Sequence, residues 1–576
     1  METSPRPELT ARALLVGCAI GAVLAAGNVY TGLKISMIDG GSITAALLGF
    51  MFFATFTRLA RRPYSPLENN ITQTTAASAA IMGYTAGVGG GVPALALLGR
   101  QFPGWALALW GLAIALFGIV AAVLLRRKLI VEEALPFPTG NATGDLIETI
   151  FAARDTALRR ARFLVGGALV AAAVTWFRDG HPQLIPGSTA FGGAVGGVSL
   201  AALTVGMSWS PLLLSTGVMM GIRAGLSMAL GAAIAWMGLA PWLVRSHIVK
   251  EASFAACAPW LDWPALGLLL AGSFLPLIFD WRSILRSASD LGALLGRGRG
   301  GSAEGGAPSG RTAGVGLPAL AVAFVVIAAV WRGVFGLHLL ALVAALLAAL
   351  VLAVVSSRAT GETDLAPVGP VGTLSQLLFA GYGSTLSILA GVITMGTSTQ
   401  AAQTLWAFKA GQRLHGSPRA QLMAQLLGAL IGGLVLVPVY LVLVKAYGIG
   451  TERLPAPAAI SWRATAEAVR GGLGSLPPHA TTAGAIALGV GALLSVLGRF
   501  SWGRYLPSPT AMGIAMMMPA SLALAVMIGA VLAVVVRRLR PSIDQELLTS
   551  LAAGGIAGES ITGVIIAIAM VTGLFK

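Results

Sequence analysis

Runs of Leu, Ala, Val, Ile and Gly recur along the whole chain, and short polar strings break them. Apolar stretches lie at 11–31, 42–58, 73–98, 104–125, 163–177, 191–209, 211–222, 225–244 and 264–281. They resume at 315–332, 335–355, 376–397, 420–444, 480–498, 511–536 and 548–573. Most are close to the roughly 20 residues that a helix needs to cross a bilayer. The runs do not alternate with period two, so they predict helices and not the strands of a membrane barrel. In lipid the backbone must satisfy its own hydrogen bonds, which leaves helices as the spanning element. Several runs are short or carry Gly and Pro, and these predict broken or re-entrant helices. The expected fold class is all-α: a polytopic integral membrane protein with roughly 14 to 17 spans.

Composition strengthens that picture. The 576 residues are 56% hydrophobic and 10% charged, where a soluble domain carries about 25% Asp, Glu, Lys and Arg. The formal charge of +16 does not imply nucleic acid, because the basic residues cluster between apolar runs. Arg58, Arg61 and Arg62 follow the second run, Arg126, Arg127 and Lys128 the fourth, and Arg537, Arg538 and Arg540 lie near the end. Two spans separate the first two clusters, so both fit the cytosolic face and place the N-terminus there too. The first apolar run leads straight into a polar turn and reads as a retained span rather than a cleavable signal. Residues 283–313, with GRGRGGSAEGGAPSGR at their centre, predict a flexible cytosolic loop. It separates an N-terminal transmembrane part, 1–282, from a C-terminal one, 314–576, which together form one transport domain.

Candidate chemistry sits in the polar interruptions. YSPLENNITQTT at 64–75 supplies Glu68, Asn69, Asn70 and Gln73 at the entry of a small-residue span. Such groups are costly against lipid and useful along a hydrated substrate route; interhelical hydrogen bonding is the alternative. Lys34 and Asp39 flank a second interruption, where they form an ion pair or bind opposite ends of a zwitterion. LPFPTGNATGD at 135–145 brings Thr139 and Asn141 to a helix start, whose free N–H groups suit a carboxylate. The prolines there fix the approach and Thr139 supplies an N-cap oxygen, an arrangement echoed in LPSPT at 506–510. Glu559 stands alone in an apolar terminal helix, either as a proton-coupling carboxyl or held by Ser, Thr or a distant Arg.

The motifs of several enzyme classes are missing. Cys18, Cys257 and five scattered histidines make no metal-like spacing, and no GxxxxGK[ST] or HExxH string occurs. No resident metal, no cofactor and no enzymatic activity are therefore expected. A channel and a membrane-embedded enzyme are the competing classes.

These strings resemble those of the oligopeptide transporter family, which includes the yellow-stripe-like metal-chelate transporters. The likeness rests on Tyr30-Thr31-Gly32-Leu33, on Pro66-Leu67-Glu68-Asn69-Asn70 with Gln73-Thr74, and on residues 129–144. It continues in Lys409-Ala410-Gly411 with Ser417-Pro418-Arg419, in Tyr505-Leu506-Pro507-Ser508-Pro509, and in Ala557-Gly558-Glu559-Ser560. The chain looks like a bacterial member. The resemblance implies about sixteen helices, an inner-membrane location, and proton-coupled uptake of small peptides or peptide-like conjugates by alternating access. Glu68, Asn69 and Gln73, with the prolyl-threonyl elements, fall where the family has patterned pathway segments. The expected substrate contacts are Glu68, Asn69, Asn70, Gln73, Thr139, Asn141, Gln400 and Gln403, and Glu559 is the expected coupling site. The expected partners are a small peptide or amino-acid-derived substrate, protons and membrane lipid, and a homodimer is a possible assembly. Relatives carry an acidic residue shortly before the lysine that matches Lys409; Ala407 stands here instead, which counts against inherited metal-chelate specificity.

Overall fold

Long apolar runs fold as helices, some continuous through internal Gly or Pro, as at Pro438, and others broken, as after Ala80. The computed structural model describes residues 8–36, 40–56, 63–152, 154–180, 183–279, 310–364, 366–471 and 477–574. In chain order these hold α1 (Ala11–Ile35), α2 (Ser42–Thr55), α3 (Pro66–Ala80), α4 (Met82–Thr85), α5 (Gly91–Leu97) and α6 (Gly104–Arg126). Next come α7 (Pro138–Ala152), α8 (Arg154–Asp179), the strands β1 (Ser188–Ala190), β2 (Ala194–Val195), β3 (Val198–Ser199) and β4 (Gly206–Ser208), then α9 (Pro211–Ala232), α10 (Ala240–Arg245) and α11 (Phe254–Phe279). The later part holds α12 (Gly310–Gly333), α13 (Leu339–Thr363), α14 (Val368–Leu378), α15 (Ser384–Arg413), α16 (Pro418–Tyr447) and α17 (Pro457–Gly471). It ends with α18 (Ala480–Leu497), α19 (Pro509–Met516), α20 (Ala520–Leu539) and α21 (Gln545–Val571).

Among the described residues ten helices are long and apolar enough to cross a membrane. The chain is an all-α, multi-pass membrane protein. Large apolar side chains such as Leu169, Val325, Leu340 and Ile486 are exposed on its surface, where lipid and not water is the suitable solvent. Breaks fall inside two of the long runs: 73–98 divides into α3, α4 and α5, and 511–536 into α19 and α20. One expected span is corrected. Residues 191–209 form no helix but belong to two antiparallel ribbons, β1 with β4 and β2 with β3. Gly192, Gly193, Gly196 and Gly197 disfavour a helix, and three of them adopt positive φ. Most of the 283–313 loop, together with Arg58, Arg61, Arg62 and Asp39, lies outside the described residues.

Two compact units divide the chain. The first comprises Met1–Val29, Ile38–Leu158 and Asp280–Tyr440; the second comprises Tyr30–Met37, Arg159–Phe279 and Leu441–Lys576. In the first, α15 is buried along nearly its whole length and packs on α3, α4, α5, α6, α7, α13 and α14. Surrounded by protein, it tolerates a Thr/Ser/Gln-rich sequence that lipid would penalise. In the second, α9 packs on α19, α20 and α21, and α11 on α17, α18 and α19. Gly554 and Gly558 let α21 lie directly on α8, since a Cβ at either would collide with the carbonyl oxygen of Leu164 or Ala168. This is the small-xxx-small contact of membrane helices, and it fixes the height of the neighbouring Glu559.

Candidate functional site

In the first unit, α3 starts with a capping box. Ser65 Oγ accepts from the Glu68 N–H at 3.2 Å, the Glu68 carboxylate accepts from the Ser65 N–H at 3.1 Å, and Pro66 occupies the first turn. Glu68 also receives Thr10 Oγ1 at 2.7 Å and Arg12 Nε and Nη2 at 2.7 and 2.6 Å. Burial alone would raise this carboxyl, but the bonds from Arg12, Thr10 and the Ser65 N–H outweigh it and hold it below the ordinary range. The Ser-x-x-Glu spacing is the sequence signal of this role.

Beyond Glu68 the seam is neutral. Asn69 Nδ2 donates to the Ala46 carbonyl (3.1 Å), and Gln73 Nε2 to Asn70 Oδ1 (2.9 Å) and Thr74 Oγ1 (3.1 Å). Gln400 accepts from Thr85 Oγ1 (3.0 Å) and donates to Ser78 Oγ (3.1 Å); Gln403 donates to Ser42 Oγ (3.2 Å). Several buried atoms here have no hydrogen-bond partner among the described residues: Asn69 Oδ1, Gln73 Oε1, Gln403 Oε1 and the hydroxyls of Thr394, Thr397 and Ser398. Buried polar atoms are normally satisfied, so this concentration along α3 and α15 marks the seam as unusual for a packed interior.

Thr139 and Asn141 lie elsewhere in the same unit. The first turn of α7 does hold a carboxylate, but one that the chain supplies. Asp364 accepts from the Thr139 N–H at 2.9 Å, from Thr139 Oγ1 at 2.7 Å and from Trp406 Nε1 at 3.0 Å. Pro138 is the first residue of the helix, which puts the N-cap at Phe137 and Thr139 two positions past it. Asn141 Nδ2 donates to the Pro136 carbonyl at 2.8 Å and is partly exposed.

Glu559 belongs to the second unit and is fully buried. It is not alone. Lys34 Nζ, at the end of α1, donates to Oε1 at 2.9 Å, and Arg178 Nη2, at the end of α8, donates to the same oxygen at 3.1 Å. Ser210 Oγ lies 2.8 Å from both carboxylate oxygens, and the Leu212 N–H donates to Oε2 at 2.9 Å. Ser210 is the N-cap of α9, so the carboxylate also sits at that helix's positive end. Arg178 pairs with Asp179 through Nε and Nη2, while Lys34 Nζ donates to Tyr30 Oη at 2.9 Å. Above this cluster opens a cavity of about 580 Å³ whose walls include Lys34, Arg178, Asp179, Tyr447 and Glu452.

Residues 8–570 match the family described as OPT oligopeptide transporter protein. The chain belongs to the oligopeptide transporter family. It is 26% identical to a putative oligopeptide transporter of Saccharomyces cerevisiae, in an alignment covering 91% of this chain and 90% of that protein. It is 24% identical to a putative oligopeptide transporter of Haemophilus influenzae, covering 93% and 92% of the two chains. A probable metal-nicotianamine transporter of Arabidopsis thaliana is 23% identical, with 96% and 85% covered.

Three charged residues of this transporter escaped the sequence reading. Arg178 and Asp179 look like ordinary helix-end charges, and nothing local links them to a glutamate 381 positions away. Asp262, on the membrane-length helix α11, is only 2% exposed and its Oδ1 has no hydrogen-bond partner among the described residues. Arg463 and Glu467 of α17 are the charges that act on it. An acid inside an apolar run, as in Trp260-Leu261-Asp262-Trp263, was the available signal. Ala407 is buried, and its carbonyl accepts from Gln421 Nε2 at 2.6 Å.

Proposed function

We propose that this family member is a bacterial secondary transporter related to the yellow-stripe-like group, taking up small peptides or peptide-like conjugates with protons by alternating access. It would sit in the inner membrane with its N-terminus in the cytosol. The observation that carries this reading is the neutral seam of α3 and α15, where buried amides and hydroxyls lack partners among the described residues of a membrane protein. A peptide presents alternating N–H and C=O groups that such a seam can pair without adding charge. Asn69, Asn70, Gln73, Gln400 and Gln403 would contact the cargo, Thr139 and Asn141 would line a second element, and Glu68 would hold the start of α3. Glu559 is the coupling carboxyl of this proposal; the groups facing it are Lys34 and Tyr30 of α1, Arg178 and Asp179 of α8, and Ser210. Asp262 Oδ1, which has no hydrogen-bond partner among the described residues, favours a second assignment, in which that residue carries the proton.

Similarity to a metal-nicotianamine transporter keeps a pre-formed chelate as the alternative cargo, and Ala407 weighs against it. Uptake of labelled glycyl peptides and amino-acid chelates into proteoliposomes, with and without an inward proton gradient, separates these readings. Saturable peptide uptake stimulated by the gradient is expected. Absence of saturable uptake across a broad peptide panel sinks the substrate proposal. An unchanged pH dependence in Glu559→Gln, with loss of that dependence in Asp262→Asn, moves the coupling role to Asp262.

A further inference from the structure

The cavity of the second unit has a charge pattern that the neutral seam lacks. Lys34 and Arg178 reach its floor from α1 and α8, and Asp179, Glu452 and Arg453 complete its charged lining. Glu559 lies directly beneath, bonded to both floor cations. Three positive groups therefore face three negative ones, and the site is neutral as it stands. Aromatic surface adds an apolar wall: Tyr30 and Tyr447 meet edge to face at 6.4 Å, and Lys34 Nζ lies 5.1 Å from the centre of the Tyr30 ring. At about 580 Å³ the volume falls within the roughly 300–1,000 Å³ typical of small-molecule sites.

We propose that this cavity binds a net-neutral zwitterion of short-peptide size, its carboxylate toward Lys34 and Arg178 and its ammonium toward Asp179 and Glu452. Both floor cations are more than 90% buried, so they meet a ligand group already stripped of much of their water. A carboxylate placed there gains charge-assisted bonds of the strong, short kind. A lone anion would add charge to a balanced, poorly hydrated site, and burying an uncompensated charge is expensive. A zwitterion preserves the balance because each end meets the opposite sign. The same logic rejects multiply anionic chelates: they would leave excess negative charge beside Asp179, Glu452 and Glu559. The inference rests on the peptide-transport reading and adds to it a site and a charge rule.

Binding to the purified full-length protein tests it, with tritiated dialanine as the probe and with N-acetyl-dialanine, dialanine amide and citrate as competitors. Unblocked dialanine should bind saturably, and removing either terminal charge should weaken competition at least tenfold. Citrate should not compete. Because Arg178 and Lys34 also support folding, the variants are Glu452→Gln and Arg453→Gln on the exposed rim and Asp179→Asn beside the floor. Asp179→Asn and Glu452→Gln should each weaken dialanine several-fold more than they weaken N-acetyl-dialanine, which has no ammonium. Equal competition by blocked and unblocked peptides, or strong competition by citrate, overturns the proposal. So does the absence of dialanine binding, or an unchanged affinity in all three variants. If those variants bind normally while proteoliposome uptake of peptides proceeds, the cavity assignment fails and peptide transport stands. If no peptide is taken up, the broader reading falls instead.

Discussion

A carboxylate buried among helices needs donors, and Glu68 and Glu559 find different ones. Glu68 closes a capping box and ties α3 to Thr10 and Arg12, all within one unit. Its carboxyl is held below the ordinary range in the folded protein, so it contributes stability above its unfolded pKa. That contribution is lost as pH falls through the depressed folded value. Glu68→Gln should therefore cost about 1.5–3 kcal/mol near neutrality, the scale of hydrogen bonds to a charged group. The gap from wild type should close as the pH drops below about 4. Thermal unfolding of the detergent-solubilised protein across pH 3–8 measures it, and a gap that is absent or independent of pH contradicts this role. Glu559 instead is held by Lys34 and Arg178, the two buried cations that line a cavity.

At the scale of elements, backbone contact sets the geometry. Gly558 brings α21 against α8, and the reciprocal pair Gly217 and Gly529 does the same for α9 and α20, each meeting the other helix's carbonyl oxygen. Gly558→Leu should destabilise by at least the roughly 1–3 kcal/mol of overpacking. Gly166→Ala, on α8 with nothing within 4 Å of the added carbon, should be neutral or better; equal losses in the two variants contradict the packing account. The elements themselves were largely legible. Apolar runs such as 548–573 and 420–444 predict α21 and α16 closely, because length and hydropathy are local properties. The ribbons around 191–209 were not, since that stretch is apolar enough to imitate a span and only its glycine density argues otherwise. The α7 start was half legible: the prolines mark it, but no local pattern shows that Asp364, 225 residues on, fills the anion position.

At the scale of the molecule, family membership and ten membrane-length helices make a transporter, and the interior shows two polar environments of different character. The seam of the first unit is neutral and built on α3 and α15; its Asn and Gln residues stand out in sequence because amides are rare in apolar runs. The site of the second unit is ionic, and its sequence signals were the lone Glu559 and, separately, Lys34 in a polar interruption. Its partners Lys34 and Arg178 stand 525 and 381 residues away, a distance at which local pattern carries no information. The proposed function is proton-coupled peptide uptake. The decisive measurement follows lumenal pH with a trapped dye while proteoliposomes, clamped at zero membrane potential, receive labelled dialanine. Dialanine entry accompanied by saturable lumenal acidification, with the acidification lost in Glu559→Gln or Asp262→Asn, is the predicted result. Saturable entry with no proton movement, and no stimulation by an imposed inward proton gradient, contradicts the account.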